Sequence, residues 1–512
     1  MLGGGELQGR AAPELGALAD KAARVTLARM VSSLIELATV VLLVRLLVQA
    51  DVAAFAFLLL VYESAKHLAT QGFPESVLYF FERLGKSAHR AFALQTAALL
   101  ACTGLMAGGA LLLLRALLPW ALDGWEAEAL ARVDALLPAF ALVVILEVPT
   151  WPTSNMMIAA DRSADAARYQ VLSSLGLFAA LFAPLVLGWG PEAIAITLVG
   201  YAVVRFAASL WWLHRILEGR AMWLPRDVFR AQVAFSLPLG INNLAVRFNK
   251  YIDKYIVALL LTDVALAEYQ VGANELPLVT VVPYAVGAVF LASFVSLRSW
   301  GDTGALLALW HQAVAKVSLV VLPAALLAVF FAADIVRLLF GEGWSAAVPV
   351  FQVYALLLLQ RVGQYGALLQ AYAETRAILR ITVVMLVLNA LLSVPMTLRW
   401  GPTGAAVATL CASVFGWWLY QHRIARVLGV GWRQVMPWRR YGQVLAVSGG
   451  AALVAWGLRV SLVSEEGAAL GLGLGLLVGS GLSWFGLRWV GVFSASDAGH
   501  VRRWLSPRFW MR

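Results

Sequence analysis

The sequence predicts an all-α polytopic membrane protein of about fourteen transmembrane helices, built as two parallel six-helix repeats followed by two further helices. Three observations carry this expectation. The chain has 512 residues, of which 61% are hydrophobic and only 13% charged, with a mean hydropathy of +0.80. A soluble domain is nearer half apolar and a quarter charged. The apolar residues run in long continuous stretches rather than alternating ten-residue segments, which excludes a β-barrel. The net charge of +10 is unevenly spread. Lysine and arginine concentrate in every second segment between the apolar runs, the positive-inside bias of an even number of spans with both termini cytoplasmic. The excess charge therefore reports topology and does not point to a nucleic-acid partner.

Taken in order, residues 1–24 read as a polar, Gly/Ala-rich cytoplasmic segment without a cleavable signal, so the first apolar helix is expected to stay as a signal anchor. A first six-helix bundle is expected over 25–215, a cytoplasmic linker over 216–230 and a second bundle over 231–425. A two-helix extension over 426–490 and a basic tail over 491–512 complete the chain. Cys102 and Cys411 both fall within apolar spans, so neither a disulfide framework nor a metal site is expected.

Charges inside apolar runs are the candidate site residues, because a charged side chain at mid-bilayer costs roughly 2.5–3.5 kcal/mol and normally faces protein or water. In the first span Arg24 and Arg45 lie near the ends, where they can snorkel, whereas Arg29 and Glu36 share one face deeper in. The second span carries Glu63, Lys66 and His67 near its middle. Glu63 and Lys66 have the spacing of a structural ion pair, and His67 has the chemistry of a proton relay or of a hydrogen-bonded neighbour. In the fourth, Pro149 and Pro152 interrupt helical hydrogen bonding around Glu147, as a static kink or a bend that moves.

The seventh span is the most heavily charged. At 100° per residue, Asn243, Arg247, Lys250 and Lys254 fall within about 60° of one another, a cationic stripe. Asn242, Asn249 and Asp253 form a second stripe about 100° away. One reading pairs Asp253 with Lys250; the other has the cations line a hydrated, anion-attracting cavity, since one acid cannot neutralise three bases. Glu275 follows in the eighth span.

An internal repeat organises these charges. LLVQADVAAFAFLLLVYE at 46–63 resembles ALLLTDVALAEYQVGANE at 258–275, which places Asp51 and Glu63 on Asp263 and Glu275. AADRSADAAR, with Arg162, resembles AYAETRAILR, with Arg376, and WGPEAIAITLVG at 189–200 resembles WGPTGAAVATLC at 400–411. The three matches keep the same order at a nearly constant offset. Helices 1–6 thus repeat as helices 7–12 in the same membrane orientation, with an expected site at their interface. Beyond the repeat, LGLGLGLLVGSGLSWFGL has the small-xxx-small spacing of close helix packing, or of a groove for lipid tails. The terminal RRWLSPRFWMR suits an anionic lipid surface.

The pattern resembles the polysaccharide-transporter family of bacteria, the O-antigen and lipid-linked oligosaccharide flippases of the multidrug/oligosaccharidyl-lipid/polysaccharide (MOP) superfamily. The resemblance rests on LLVRLL and VAAFAF in the first hairpin, Pro238, the run DKYIVALLL from Asp253 and Tyr269 after it. It extends to LLFGEGWSAAVPVFQVYALLL and WGPTGAA. It implies a fold of the MOP type and translocation of an undecaprenyl-pyrophosphate-linked oligosaccharide to the outer leaflet of the bacterial inner membrane, by alternating access. Arg29, Arg247, Lys250, Lys254 and Asn243 would then attract the diphosphate headgroup. Glu36, Glu63, Lys66, His67, Asp253 and Glu275 would gate or couple, with a proton or sodium ion as driving ion and no other cofactor. The resemblance implies membrane lipids and the polymerase or ligase machinery as partners. A lipid II flippase and a multidrug cation antiporter of the same superfamily are the alternatives. A membrane enzyme fits less well, because no nucleophile–base set, phosphate-binding glycine loop or metal-spaced cluster is present in the sequence.

Overall fold

The computed structural model describes residues 31–219, 222–274, 279, 283, 294, 297, 298, 300–463 and 467–491. Among them the chain is helical, with no strand. It divides into two compact units, 1–267 and 268–512.

In the first unit, helix α1 covers 31–46. It is followed by α2 (Gln49–Thr70), α3 (Phe73–Arg83), α4 (Lys86–Leu114), α5 (Leu118–Ala121), α6 (Ala127–Glu147) and α7 (Thr153–Ala159). Then come α8 (Ser163–Val186), α9 (Pro191–Ile216) and α10 (Arg226–Leu260), and α11 (Asp263–Gly272) begins here. Helix α10, the seventh span expected from sequence, packs on α2 and α3 within this first unit.

The second unit contains α12 (Thr303–Phe330), α13 (Ala332–Phe340), α14 (Ala347–Leu357), α15 (Tyr365–Ala371) and α16 (Thr375–Leu428). The short α17 (Trp432–Val435), α18 (Trp438–Leu462), α19 (Ala468–Leu474) and α20 (Ser480–Trp489) follow. Gly401 breaks α16 with φ 60° and ψ −146°, so its 54 residues are two helices meeting at a kink. Nine helical stretches among the described residues are long and apolar enough to cross a bilayer. Helix α10 is not one of them, although its 35 residues span about 52 Å. Arg247, Lys250, Asp253 and Lys254 break its apolarity, so its charged face must meet protein or water rather than lipid tails.

The backbone carries the repeat. Asp161 (φ 64°) and Ala373 (φ 59°) are both left-handed non-glycine residues, 212 positions apart. Each closes its helix with the same hydrogen bond, Arg162 N to Met157 O at 2.8 Å and Glu374 N to Leu369 O at 2.9 Å. Helices α7 and α15 stand at the same offset, and Gly190 and Gly401, both at positive φ and both followed by proline, stand 211 apart. The turn fixes its offset at 212, so Arg162 lies opposite Glu374 and not opposite Arg376. Backbone conformation has outlasted side-chain identity there.

In the extension, Gly475 and Gly479 allow close packing on the C-terminal end of α12 and on Phe331 just beyond it. A Cβ at Gly475 would lie 2.6 Å from the Phe331 ring, and one at Gly479 would lie 2.6 Å from Leu327. The small residues thus serve helix packing inside the second unit. Nearby, Asp334 of α13 accepts two hydrogen bonds from Arg459 of α18, at 3.0 and 2.6 Å. This ion pair ties α18 to α13 within the second unit.

Candidate functional site

Most of the candidate charged residues described in the first unit sit on α2 and α10, two elements brought together by a backbone contact. Gly72, at φ +77°, turns the chain between α2 and α3, and Gly240 lies against it in α10. A Cβ on Gly72 would come within 2.6 Å of the Ser236 carbonyl oxygen, and one on Gly240 within 2.5 Å of Gln71. Only glycine allows this approach, which sets the middle of α10 beside the C-terminal half of α2. Replacing Gly240 with valine is expected to push the helices apart, at a cost of about 1–3 kcal/mol. A fall in melting temperature of the purified protein would show it.

On α2, Glu63 and Lys66 form the ion pair their spacing allows, at 2.6 Å. His67 lies 3.5 Å from the same carboxylate and packs on the Trp151 ring. Lys66 is buried, and its ammonium also donates to the Tyr62 hydroxyl at 3.1 Å and rests over the Tyr62 and Trp151 rings. Glu63 is one-third exposed. On α10, Arg247 and Lys250 are exposed, and among the described residues neither forms an ion pair. Both act electrostatically on His67, and Lys250 acts on Glu36, which is exposed on α1. Asn243 donates to Glu75 of α3 at 3.2 Å. Lys254 is half-buried, and Asp253 is buried with its carboxylate accepting from the Lys254 backbone at 2.8 Å. Of the two pairings open in the sequence, Glu63 with Lys66 forms, whereas Lys250 does not pair with Asp253 among the described residues. Arg29 and Glu275 lie outside the described residues.

Behind this face runs a buried network that the charge pattern alone did not expose. Glu147, 2% exposed at the end of α6, accepts from the Tyr62 hydroxyl of α2 and from the Arg205 guanidinium of α9. Arg205 also donates to Tyr201 at 2.9 Å and to the Thr150 hydroxyl at 3.1 Å. Thr150 bonds back to the Glu147 carbonyl at 2.7 Å. The prolines at 149 and 152 explain its placement: α6 ends at Glu147, a single 3-10 turn covers Val148–Thr150, and α7 resumes at Thr153. That break presents the Thr150 hydroxyl to Arg205. A continuous polar path therefore leads from partly exposed Glu63 through Lys66, Tyr62 and Glu147 to Arg205 and Tyr201. Arg205 lies in the middle of the sixth apolar run, and an intramembrane arginine is itself a functional-site signal. The second repeat lacks this path: at the helix-6 offset Arg205 corresponds to Gly416 and Tyr201 to Ala412. Among the described residues no cluster of His, Cys, Asp and Glu could hold a metal.

Long apolar helices, turns repeated at a constant offset and charge held within the spans define a multi-pass helical membrane protein. Residues 42–349 match the model of the polysaccharide biosynthesis protein family, and the chain belongs to that family. The probable low-salt glycan biosynthesis flippase of Haloferax volcanii is 22% identical over 292 residues, which make up 57% of this chain and 61% of that protein. The match thus spans about three-fifths of that relative's length. Two solved structures share the fold. Lipid II flippase MurJ, in an inward closed conformation, superposes with a TM-score of 0.67 at 13% identity, over 91% of this chain and 99% of that one. An inward-facing multidrug resistance transporter of the MATE family superposes with a TM-score of 0.58 at 14% identity, over 77% and 95%. These relatives are flippases and transporters, not enzymes.

Proposed function

We propose that the protein is a flippase that carries an undecaprenyl-pyrophosphate-linked oligosaccharide from the cytoplasmic to the outer leaflet of a bacterial inner membrane, for cell-surface polysaccharide synthesis. The observation that carries this reading is the exposed pair of cations Arg247 and Lys250, which form no ion pair among the described residues, on a helix long enough to cross the bilayer but too charged to face lipid. A diphosphate fits such a face: arginine offers a planar fork to phosphate oxygens and lysine a mobile point charge. Lys254, Asn243 and Arg29 extend the same electropositive surface. The family membership and the glycan flippase relative support the substrate class. The work is translocation, with no bond made or broken. Glu63, shared between Lys66 and His67, is the carboxylate assigned to coupling, with a proton or sodium ion as its partner, and Glu36, Asp253 and Glu275 are its auxiliaries. Polymerase and ligase proteins would take the product at the outer leaflet, and both termini would stay cytoplasmic.

The test is leaflet exchange in liposomes holding the purified protein, with a fluorescent undecaprenyl-diphosphate-sugar followed by quenching from outside. Exchange faster than in empty liposomes is expected. Exchange of lipid II alone would give the protein a peptidoglycan cargo. Uptake of a cationic dye without lipid exchange would replace the flippase reading by drug antiport.

A further inference from the structure

We propose that the second unit binds an anionic phospholipid where α16, α17 and α18 meet, with Arg426 and Arg433 holding the phosphate and an aromatic column on α16 receiving the acyl chain. The column is continuous. Phe415 stacks on Trp418 at 5.5 Å between centroids, Trp418 meets His422 at 4.1 Å, and His422 stacks on Trp432 at 5.7 Å and 14°. The Arg433 guanidinium caps it, 5.4 Å above the Trp432 ring. From Phe415 to His422 the helix rises about 10 Å, which is the step from acyl chain to headgroup depth. Phe415, Trp418 and Trp432 are all exposed, so the column is a surface and not part of the core.

Its polar end is cationic. Arg426 is one helical turn beyond His422 on the same face, and Arg439 and Arg440 open α18. All are exposed like Arg433, and among the described residues none of the four pairs with a carboxylate. A phosphate would supply the missing negative charge.

The platform is also held rigid. Trp310 of α12 donates to the Val435 carbonyl at 2.8 Å, and His311 bonds the Gln434 carbonyl at 2.7 Å. Gln434 accepts from Gly431 N at 3.1 Å, and the Tyr365 hydroxyl meets the Met436 sulfur at 3.8 Å. The loop presenting Trp432 and Arg433 is thus fixed before any ligand arrives, which lowers the ordering cost of binding. The repeat does not demand the column, because the corresponding positions of the first unit are Val204, Ala207 and Trp211.

The experiment measures binding of phosphatidylglycerol and phosphatidylcholine to the purified full chain by native mass spectrometry. Wild type is expected to retain phosphatidylglycerol in preference to phosphatidylcholine. Arg426→Gln with Arg433→Gln is expected to weaken that binding about 30-fold, from about 1 kcal/mol per arginine at a lipid surface. Equal retention of the two lipids, or unchanged affinity in the double variant, would overturn the proposal. Brominated phosphatidylglycerol provides a reading independent of the arginine variants. It should quench tryptophan fluorescence less in Trp432→Phe than in wild type, and equal quenching would count against the site.

Discussion

Replacing Arg205 by alanine is expected to destabilise the protein by about 3–5 kcal/mol, because it leaves the Glu147 carboxylate buried without its counter-charge. Glu147 is 2% exposed, and of its donors among the described residues only the Tyr62 hydroxyl would remain. The loss should appear as a lower melting temperature and a smaller yield of monodisperse protein after extraction. Arg205→Ala combined with Glu147→Gln should recover part of it, since a neutral amide tolerates burial better than a bare carboxylate. Equal stability of wild type and Arg205→Ala would mean that water reaches Glu147 and that the network is not closed. The double variant also separates roles. If it folds but no longer exchanges lipid, the path from Glu63 to Arg205 takes part in transport as well as in holding α2, α6 and α9 together.

The second large effect is expected at α10. Arg247→Ala with Lys250→Ala should reduce leaflet exchange by about a hundredfold or more, because each hydrogen bond from a charged group is worth about 1.5–3 kcal/mol. Both residues are exposed, so the melting temperature should hold nearly constant while exchange falls. Arg247→Lys should lose less than Arg247→Ala, since charge remains and only the planar fork is lost. Exchange unchanged in the double alanine variant would remove these cations from headgroup capture and leave Lys254 or Arg29 to provide it. Raising ionic strength should slow the wild type in the same direction, as salt screens an exposed cationic face.

The class and the repeat were legible before any coordinate, because both rest on composition and on spacing along the chain. A hydropathy of +0.80 and long apolar runs leave only helices to cross a bilayer, where every backbone group must be satisfied within its own segment. Asp161 and Ala373 show why the repeat was readable only approximately. The left-handed turn is conserved in backbone while its residues differ, so matching side chains put Arg162 two positions out of register. The Glu63–Lys66 pair was also legible, since i and i+3 on a helix must be neighbours.

The partners of Glu147 and Arg459, and the failure of Lys250 to pair with Asp253, were settled by tertiary structure alone. Arg205 and Glu147 are 58 residues apart, and Asp334 and Arg459 are 125 apart. Such pairings depend on which helix faces pack together, which no local period records. The same holds for the column from Phe415 to Arg433, where Gly429 ends α16 in a left-handed turn and a pinned loop returns Trp432 to His422. By itself the sequence determined that charges are held inside a bilayer, because their cost there depends only on residue type and depth. The tertiary structure decided which of the described charges are neutralised by a neighbour and which are not, because that depends on distances between helices remote along the chain.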